Sequence, residues 1–355
     1  MNSENLTNTP LAIKKLQGIK PKGVKVKDSS KLEKLIEIGN SIMTRFVDSC
    51  SEYSRNEDSR LHPEIVKILK TELLSEFEFN TDDLISFVHA KSGVEGSETE
   101  LKILGFYSGA LLSMLTEKNI WLNQKTRVHI NGEGNSFPYL FSYAQYIDEI
   151  IIENFKGKQV CNNISQGESK ANLIVFANMC GNEFGWRAGE GKKIAKSVYF
   201  INNDFGEEDF PYVYAKTAWF INNNHDSFWG HVGSGNTNDF WLLNNQKKGI
   251  MVKGLNEYVD TLFVVNHPFT NIGSMGGANG RKDNSVKNLV LCCDPEDYVE
   301  FKDIKFNNIS MGAAANKKYE SIVELSHSLI GEKDTLKIID ASKKIKQLYS
   351  EINEK

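Results

Sequence analysis

Between Val128 and Asp294 a short unit recurs: two or three bulky apolar residues, then Asn, then a polar turn. The copies are residues Glu149–Phe155, Leu173–Met179, Val198–Asp204, Ala218–Asn224, Phe240–Gln246, Leu262–Pro268 and Leu289–Pro295. Aligned on the last polar residue of each, Asn154, Asn178, Asn203, Asn223, Asn245, His267 and Asp294 fall 24, 25, 20, 22, 22 and 27 residues apart, and Val128–Glu133 reads as an earlier copy. A self-similar period in the low twenties predicts a solenoid, in which no repeat buries its apolar face until its neighbours stack on it. The runs are rich in Ile, Val, Phe, Tyr and Trp and bounded by Asn and Gly, which predicts short strands of a parallel sheet. Each unit carries a second, weaker segment (Tyr139–Tyr143, Glu183–Arg187, Phe210–Tyr214, Phe228–Val232, Gly249–Lys253, Asn271–Met275 and Tyr298–Lys302), so that two strands and two turns fill one rung. With neighbouring strands ~4.8 Å apart, seven intervals make a rod of roughly 34 Å.

Stacked rungs turn sequence columns into ladders. Asn154, Asn178, Asn203, Asn223 and Asn245 form the terminal column of this alignment, a structural ladder in which each amide donates to one rung and accepts from the other. Asn also tolerates the left-handed backbone of a tight corner. Counting back, the columns Ile150, Ile174, Tyr199, Trp219, Trp241 and Ile152, Phe176, Ile201, Ile221, Leu243 share one face. The column between them, Ile151, Val175, Phe200, Phe220, Leu242, Val264 and Leu291, takes the other. One face fills the lumen. The second is an apolar stripe that helices from residues 29–119, or a second copy of the chain, must cover.

Helical periodicity flanks the repeats. Ser30 and Glu33 form a capping box ahead of a helix running to about Tyr53, and Pro63 is placed as the first residue of a second. A third follows Thr81. A fourth starts at Ser97, with Glu100 completing another capping box and Leu101, Leu104, Leu111, Leu112 and Leu115 along it. Helical spacing returns at Tyr319, breaks at Gly331 and resumes from Leu336 to Ile352. The fold class expected is therefore α+β: a single-stranded parallel β-solenoid with rungs of about 22 residues, flanked by helical N- and C-terminal segments. Its expected parts are a basic arm at 1–28, a helical section at 29–124, the solenoid at 125–310 and a helical cap at 311–355.

Composition narrows the function more by exclusion than by assignment. A net charge of −4 supplies no general field for a polyanion, and the basic arm, Lys14 to Lys27, lacks aromatic residues to stack on bases, so at most weak nucleic-acid contact is expected there. No secretory leader and no run of eighteen apolar residues occurs, which points to a cytoplasmic chain with no membrane segment. Cys50, Cys161, Cys180, Cys292 and Cys293 have no metal-binding spacing and read as reduced thiols. The glycine-rich stretches at 189–193, 233–236 and 276–282 match no phosphate loop, and His225 and His231 lack further ligands, so neither a cofactor nor a metal is expected.

Two features keep a carbohydrate-binding or carbohydrate-cleaving β-helix as the alternative. Trp186 and Trp229 lie off the core columns and would make an aromatic shelf for sugar rings, and Asp204, Glu207, Glu208 and Asp209 would supply paired carboxylates. No catalytic residue is assigned.

The segments Asn178–Gly185 and Thr270–Gly277, each a glycine-rich turn after an apolar strand, resemble the repeats of the GXGXG solenoid, the C-terminal module of the large subunit of glutamate synthase, also present in the formylmethanofuran dehydrogenase group. The resemblance covers residues 128–305 at most, and the stretches 246–253 and 294–301 depart from the glycine pattern. It implies a scaffold without catalytic residues. The function expected is accordingly a non-enzymatic scaffold or protein-interaction module, with a protein partner or self-association.

Overall fold

The computed structural model describes residues 30–50, 55–165, 167, 171–205, 211, 213–224, 237–245, 259–266, 271–273, 285–292, 300–302 and 305–354. Helices α1 (Lys31–Phe46), α2 (Arg55–Ile68), α3 (Thr81–Lys91) and α4 (Glu98–Trp121) precede the repeats. Both predicted capping boxes form: Ser30 and Glu33 on α1, Ser97 and Glu100 on α4. Pro63 does not start its helix but lies inside α2, where its missing N–H forfeits one backbone bond.

Strands β1 (Arg127–Asn131), β2 (Glu149–Glu153), β3 (Leu173–Ala177), β4 (Ala195–Ile201), β5 (Ala215–Ile221), β6 (Asp239–Leu243) and β7 (Val259–Val265) follow, each parallel to the last. After β8 (Asn271–Gly273), β9 (Ser285–Cys292) pairs with β7. Then β10 (Glu300–Lys302) pairs with β8, and β11 (Lys305–Met311) pairs with β9. The result is a nine-stranded parallel sheet, one strand per rung, with steps of 22, 24, 24, 20, 22, 22, 27 and 20 residues read from the paired positions. Helices α5 (Gly312–Lys318), α6 (Glu320–His327) and α7 (Thr335–Asn353) close the chain. This is the expected parallel β-solenoid between helical segments.

The second segments divide. Residues 271–273 and 300–302 are strands, whereas 139–143 and 183–187 are turns with positive φ at alternate residues: Tyr139, Phe141 and Tyr143 in one coil, Glu183, Gly185, Arg187 and Gly189 in another. Backbone bonds still run from rung to rung there, as from Cys161 N to Leu140 O and from Gly185 N to Val160 O. Glycine is favoured where this path is tightest. At Gly181 φ is +147°, and a Cβ would lie 2.2 Å from Gly157 O. The segments 228–232 and 249–253 lie outside the described residues.

Strand pairing also shifts the columns by one residue from β4 onward. Asn178 follows a strand in register with Ile201, so its partner position is Asn202, not Asn203. Consequently Phe200, Phe220, Leu242, Val264 and Leu291 line the lumen with Ile150, Ile152, Ile174 and Phe176, and Phe176, Phe200 and Phe220 stack at 5.0–5.1 Å. Tyr199, Trp219, Trp241 and Phe263 face outward as a second stack, with ring centroids 5.8, 4.8 and 4.9 Å apart. The C-terminal helices cover that face. Tyr319 and Tyr349 meet its rings edge-on, and Ile322, Ile338, Ile339 and Ile345 are buried against it.

The N-terminal helices therefore do not cover the stripe, contrary to expectation. They close one end of the coil stack, in a core continuous with the lumen. Helix α4 is buried nearly all round, with Gly105 and Gly109 against the backbone of Tyr139 and Ser142. Ser108 Oγ accepts from Phe141 N (2.9 Å) and Ser113 Oγ from Gln145 N (2.8 Å), standing in for the carbonyls of a preceding rung.

Candidate functional site

The single Asn column expected from sequence resolves into two adjacent ones. Asn154, Asn178, Asn202, Asn222, Asn244 and Asn266 all have φ between 47° and 56°, and each donates its backbone N–H to the carbonyl that ends the next rung's strand, for example Asn222 N to Leu243 O (2.9 Å). This is the corner column, where a left-handed residue is needed and Asn supplies it at low cost. Its amides ladder from Asn154 to Asn131 (3.0 Å), Asn222 to Asn202 (3.0 Å), Asn244 to Asn222 (3.2 Å) and Asn266 to Asn244 (3.3 Å). Asn203, Asn223 and Asn245 form a buried column beside it. Asn223 Oδ1 accepts from Asn203 N (3.0 Å), and Asn223 Nδ2 donates to Phe200 O (3.0 Å) and Asn245 Oδ1 (2.9 Å).

The corner column does a second job. Asn202, Asn222 and Asn244 also donate to Glu332 O (2.9 Å), Leu329 O (2.7 Å) and Ser326 O (2.6 Å). These carbonyls belong to the end of α6 and the turn after it, and Ser326 O and Leu329 O, which also accept from Leu329 N (3.0 Å) and Glu332 N (3.1 Å), take the amides on their second lone pairs. One row of amides thus joins the rungs together and fastens the C-terminal helices over the aromatic stack. The pairs of adjacent Asn residues at 202–203, 222–223 and 244–245 were the sequence signal for two columns.

A groove of about 480 Å³ lies between α7 and the sheet. Lys196 and Lys216, one rung apart, line one wall and Lys343 and Lys346 the other, above Tyr199 and Trp219. Lys346 Nζ donates to Asp239 Oδ2 (2.6 Å) and Thr217 Oγ1 (2.8 Å), an arrangement that pins the helix. Sequence reasoning did not single out these four lysines, because two of them come from the distant C-terminal helix.

Of the carbohydrate candidates, Trp186 is half-buried and its carbonyl accepts from Asn163 N (2.7 Å), while Asp204 is exposed and takes its place in a row of bridges with Cys180 and Asn224. Asp204 Oδ1 accepts from Asn224 Nδ2 (3.2 Å). Trp229, Glu207, Glu208 and Asp209 lie outside the described residues, as do Lys14 to Lys27, His225 and His231. Among the described residues no group of three His, Cys, Asp or Glu could hold a metal ion, and no helix is long and apolar enough to cross a membrane.

The most perturbed titratable groups belong to the packing. His62 is fully buried between Phe106 and Tyr143, and burial lowers its pKa to about 4. Burial pushes the Cys161 thiol far up, so it stays protonated and unreactive.

The two ends of the coil stack differ. The N-terminal end lies under α3 and α4, but at the other end β11 is the terminal strand of the sheet. Ile309 and Met311 stack on Leu289 and Leu291, which are 1% and 0% exposed; they themselves are 51% and 43% exposed. A second exposed apolar cluster, Ile120, Trp121 and Leu122, ends α4. No protein-family model matches the chain, and neither the curated proteins nor the solved structures contain a match to it.

Proposed function

We propose that the chain is a non-enzymatic β-solenoid scaffold whose working surface is the terminal strand β11, where it receives another protein chain. The exposure of Ile309 and Met311, at lumen positions that every earlier rung buries, carries this reading. A terminal strand with apolar lumen positions is a surface that an extended segment of a partner completes. The polar groups best placed by the fold, the two Asn columns, are occupied in joining rungs and helices. The resemblance to the GXGXG module, a scaffold, supports the proposal, and the free thiols of Cys161 and Cys180 fit a reducing cytoplasmic setting.

A photo-reactive amino acid placed at position 309 tests the proposal in the native cell. We expect one discrete protein adduct there and none from the same group at position 186. No adduct at 309 defeats the scaffold reading. Tight binding on a glycan array that is lost in Trp186→Ala or Trp229→Ala would establish the carbohydrate alternative in its place.

A further inference from the structure

We propose that the groove between α7 and the sheet is a binding site for a small molecule bearing a diphosphate group, separate from the strand that receives a protein chain. Charge without a counter-ion is the first argument. Lys196 lies opposite Lys216 on the neighbouring rung, between the paired Ala195–Ala215 and Ser197–Thr217, so the two side chains leave the sheet ~4.8 Å apart. Among the described residues neither side chain makes a hydrogen bond or an ion pair. Followed through the strand pairing, their column reads Asp148, Asn172, Lys196, Lys216, Asn238 and Asp260. Asn172 Nδ2 donates to Asp148 Oδ1 (2.7 Å) and Asn238 Nδ2 to Asp260 Oδ2 (3.1 Å). Both carboxylates are thus answered by amides, and each stands two rungs from the nearer lysine, roughly 10 Å away. Like charges directly opposite each other destabilise a strand pair, and an anion held between the two lysines removes that cost.

The opposite wall selects the anion. Lys343 and Lys346 line the groove from α7, and two carboxylates answer them: Asp239 holds Lys346 (2.6 Å), while Asp340 meets Lys343 (2.8 Å) in an exposed contact of the kind that contributes little. Four lysines against two carboxylates leave two positive charges in the groove. A ligand with a single carboxylate neutralises only one of them, whereas a diphosphate carries enough charge for both and offers one phosphoryl group to each of Lys196 and Lys216. The groove has no arginine fork for a planar carboxylate. Its lysines act as point charges, each able to turn three donors onto phosphoryl oxygens, and the Ser197, Thr217 and Ser350 hydroxyls line the same space. At about 480 Å³ the groove is larger than a bare oxyanion, which leaves room for an organic body beside Tyr199 and Trp219. Because its cations come from both sheet and helix, a bound diphosphate also fastens α7 to the rungs.

Calorimetric titration of the full-length chain in physiological salt, with adenosine diphosphate and inorganic pyrophosphate as probes, tests the proposal. At least one probe should bind saturably at a single site per chain and raise the melting temperature. Tighter binding of adenosine diphosphate assigns the site to an organic diphosphate, and tighter binding of pyrophosphate to the inorganic one. The double variant Lys196→Gln/Lys216→Gln should weaken binding by about tenfold or more, the equivalent of one charge-assisted contact. Without ligand it should melt no lower than wild type, because it removes a like-charge contact. Lys287→Gln, in the same column beyond Asp260 and outside the groove, should bind as wild type does. Saturation by neither probe, undiminished binding in the double variant, or equal weakening by Lys287→Gln overturns the site. So does a double variant that melts below wild type without ligand, since the two lysines would then serve the fold instead. Protein capture at position 309 is independent of every one of these outcomes.

Discussion

At the scale of single residues, the two Asn columns differ in what they demand. Asn223 is buried, and Asn223→Leu would strand Asn203 N and Phe200 O without water, at a cost of about 1–3 kcal/mol. Asn224 instead makes a side-chain bond to the exposed Asp204, so Asn224→Leu should change stability far less. Denaturant melts of the two variants check this, and equal midpoints would contradict the assigned column. His62 makes a second residue-scale prediction. Its folded pKa, about 4, lies below the ordinary imidazole value, so the unfolded chain binds the extra proton between pH 6.5 and 4. The contribution to stability is complete above pH 6.5 and is lost as pH falls. Down to pH 5, above the carboxylate range, the loss is about 2 kcal/mol. His62→Leu should remove most of that slope, which urea melts at pH 7 and pH 5 would show.

At the scale of elements, the contact between α4 and the first coil depends on small residues. A Cβ at Gly105 would lie 2.3 Å from Tyr139 O, so Gly105→Ala must push the helix off the coil, with a cost of about 1–3 kcal/mol. Ser108→Ala leaves the buried Phe141 N–H without its acceptor and should cost about as much. Melting temperature reads both. Neither change should alter the C-terminal helices, which pack on the opposite side of the sheet wall. The turn segments show why helix and strand propensity could not settle this region. Alternate residues at Tyr139, Phe141 and Tyr143 take positive φ, a backbone that non-glycine residues adopt only when their surroundings hold them there.

At the scale of the whole molecule, the solenoid needs its C-terminal helices to shield the outer aromatic stack. A chain ending at Met311 would expose Tyr199, Trp219, Trp241 and Phe263 together, a patch beyond what a soluble surface normally carries. It should bind a hydrophobic dye and aggregate, whereas the intact chain should not. A truncated chain that stays soluble and dye-free would mean that the helices are not the cover.

The sequence by itself determined the existence of the solenoid, its rung length and the capping of its helices, because each follows from spacing along the chain: apolar runs near every 22 residues, and Ser–Glu pairs three residues apart. It also determined that the long-sheet strands between Ile150 and Cys292 carry apolar columns on both faces. Tertiary structure decided which face is which. The adjacent Asn residues at 202–203, 222–223 and 244–245 permit either register, and only strand pairing and the left-handed corner select Asn202, Asn222 and Asn244 as the turn. That one-residue choice sends Trp219 and Trp241 outward and Phe200 and Phe220 inward, since side chains alternate along a strand. Tertiary structure likewise chose the cover. α7 and the N-terminal helices offer comparable apolar faces, but the carbonyls at Ser326, Leu329 and Glu332 reach the corner amides, and α4 has Ser108 and Ser113 where the first coil needs acceptors.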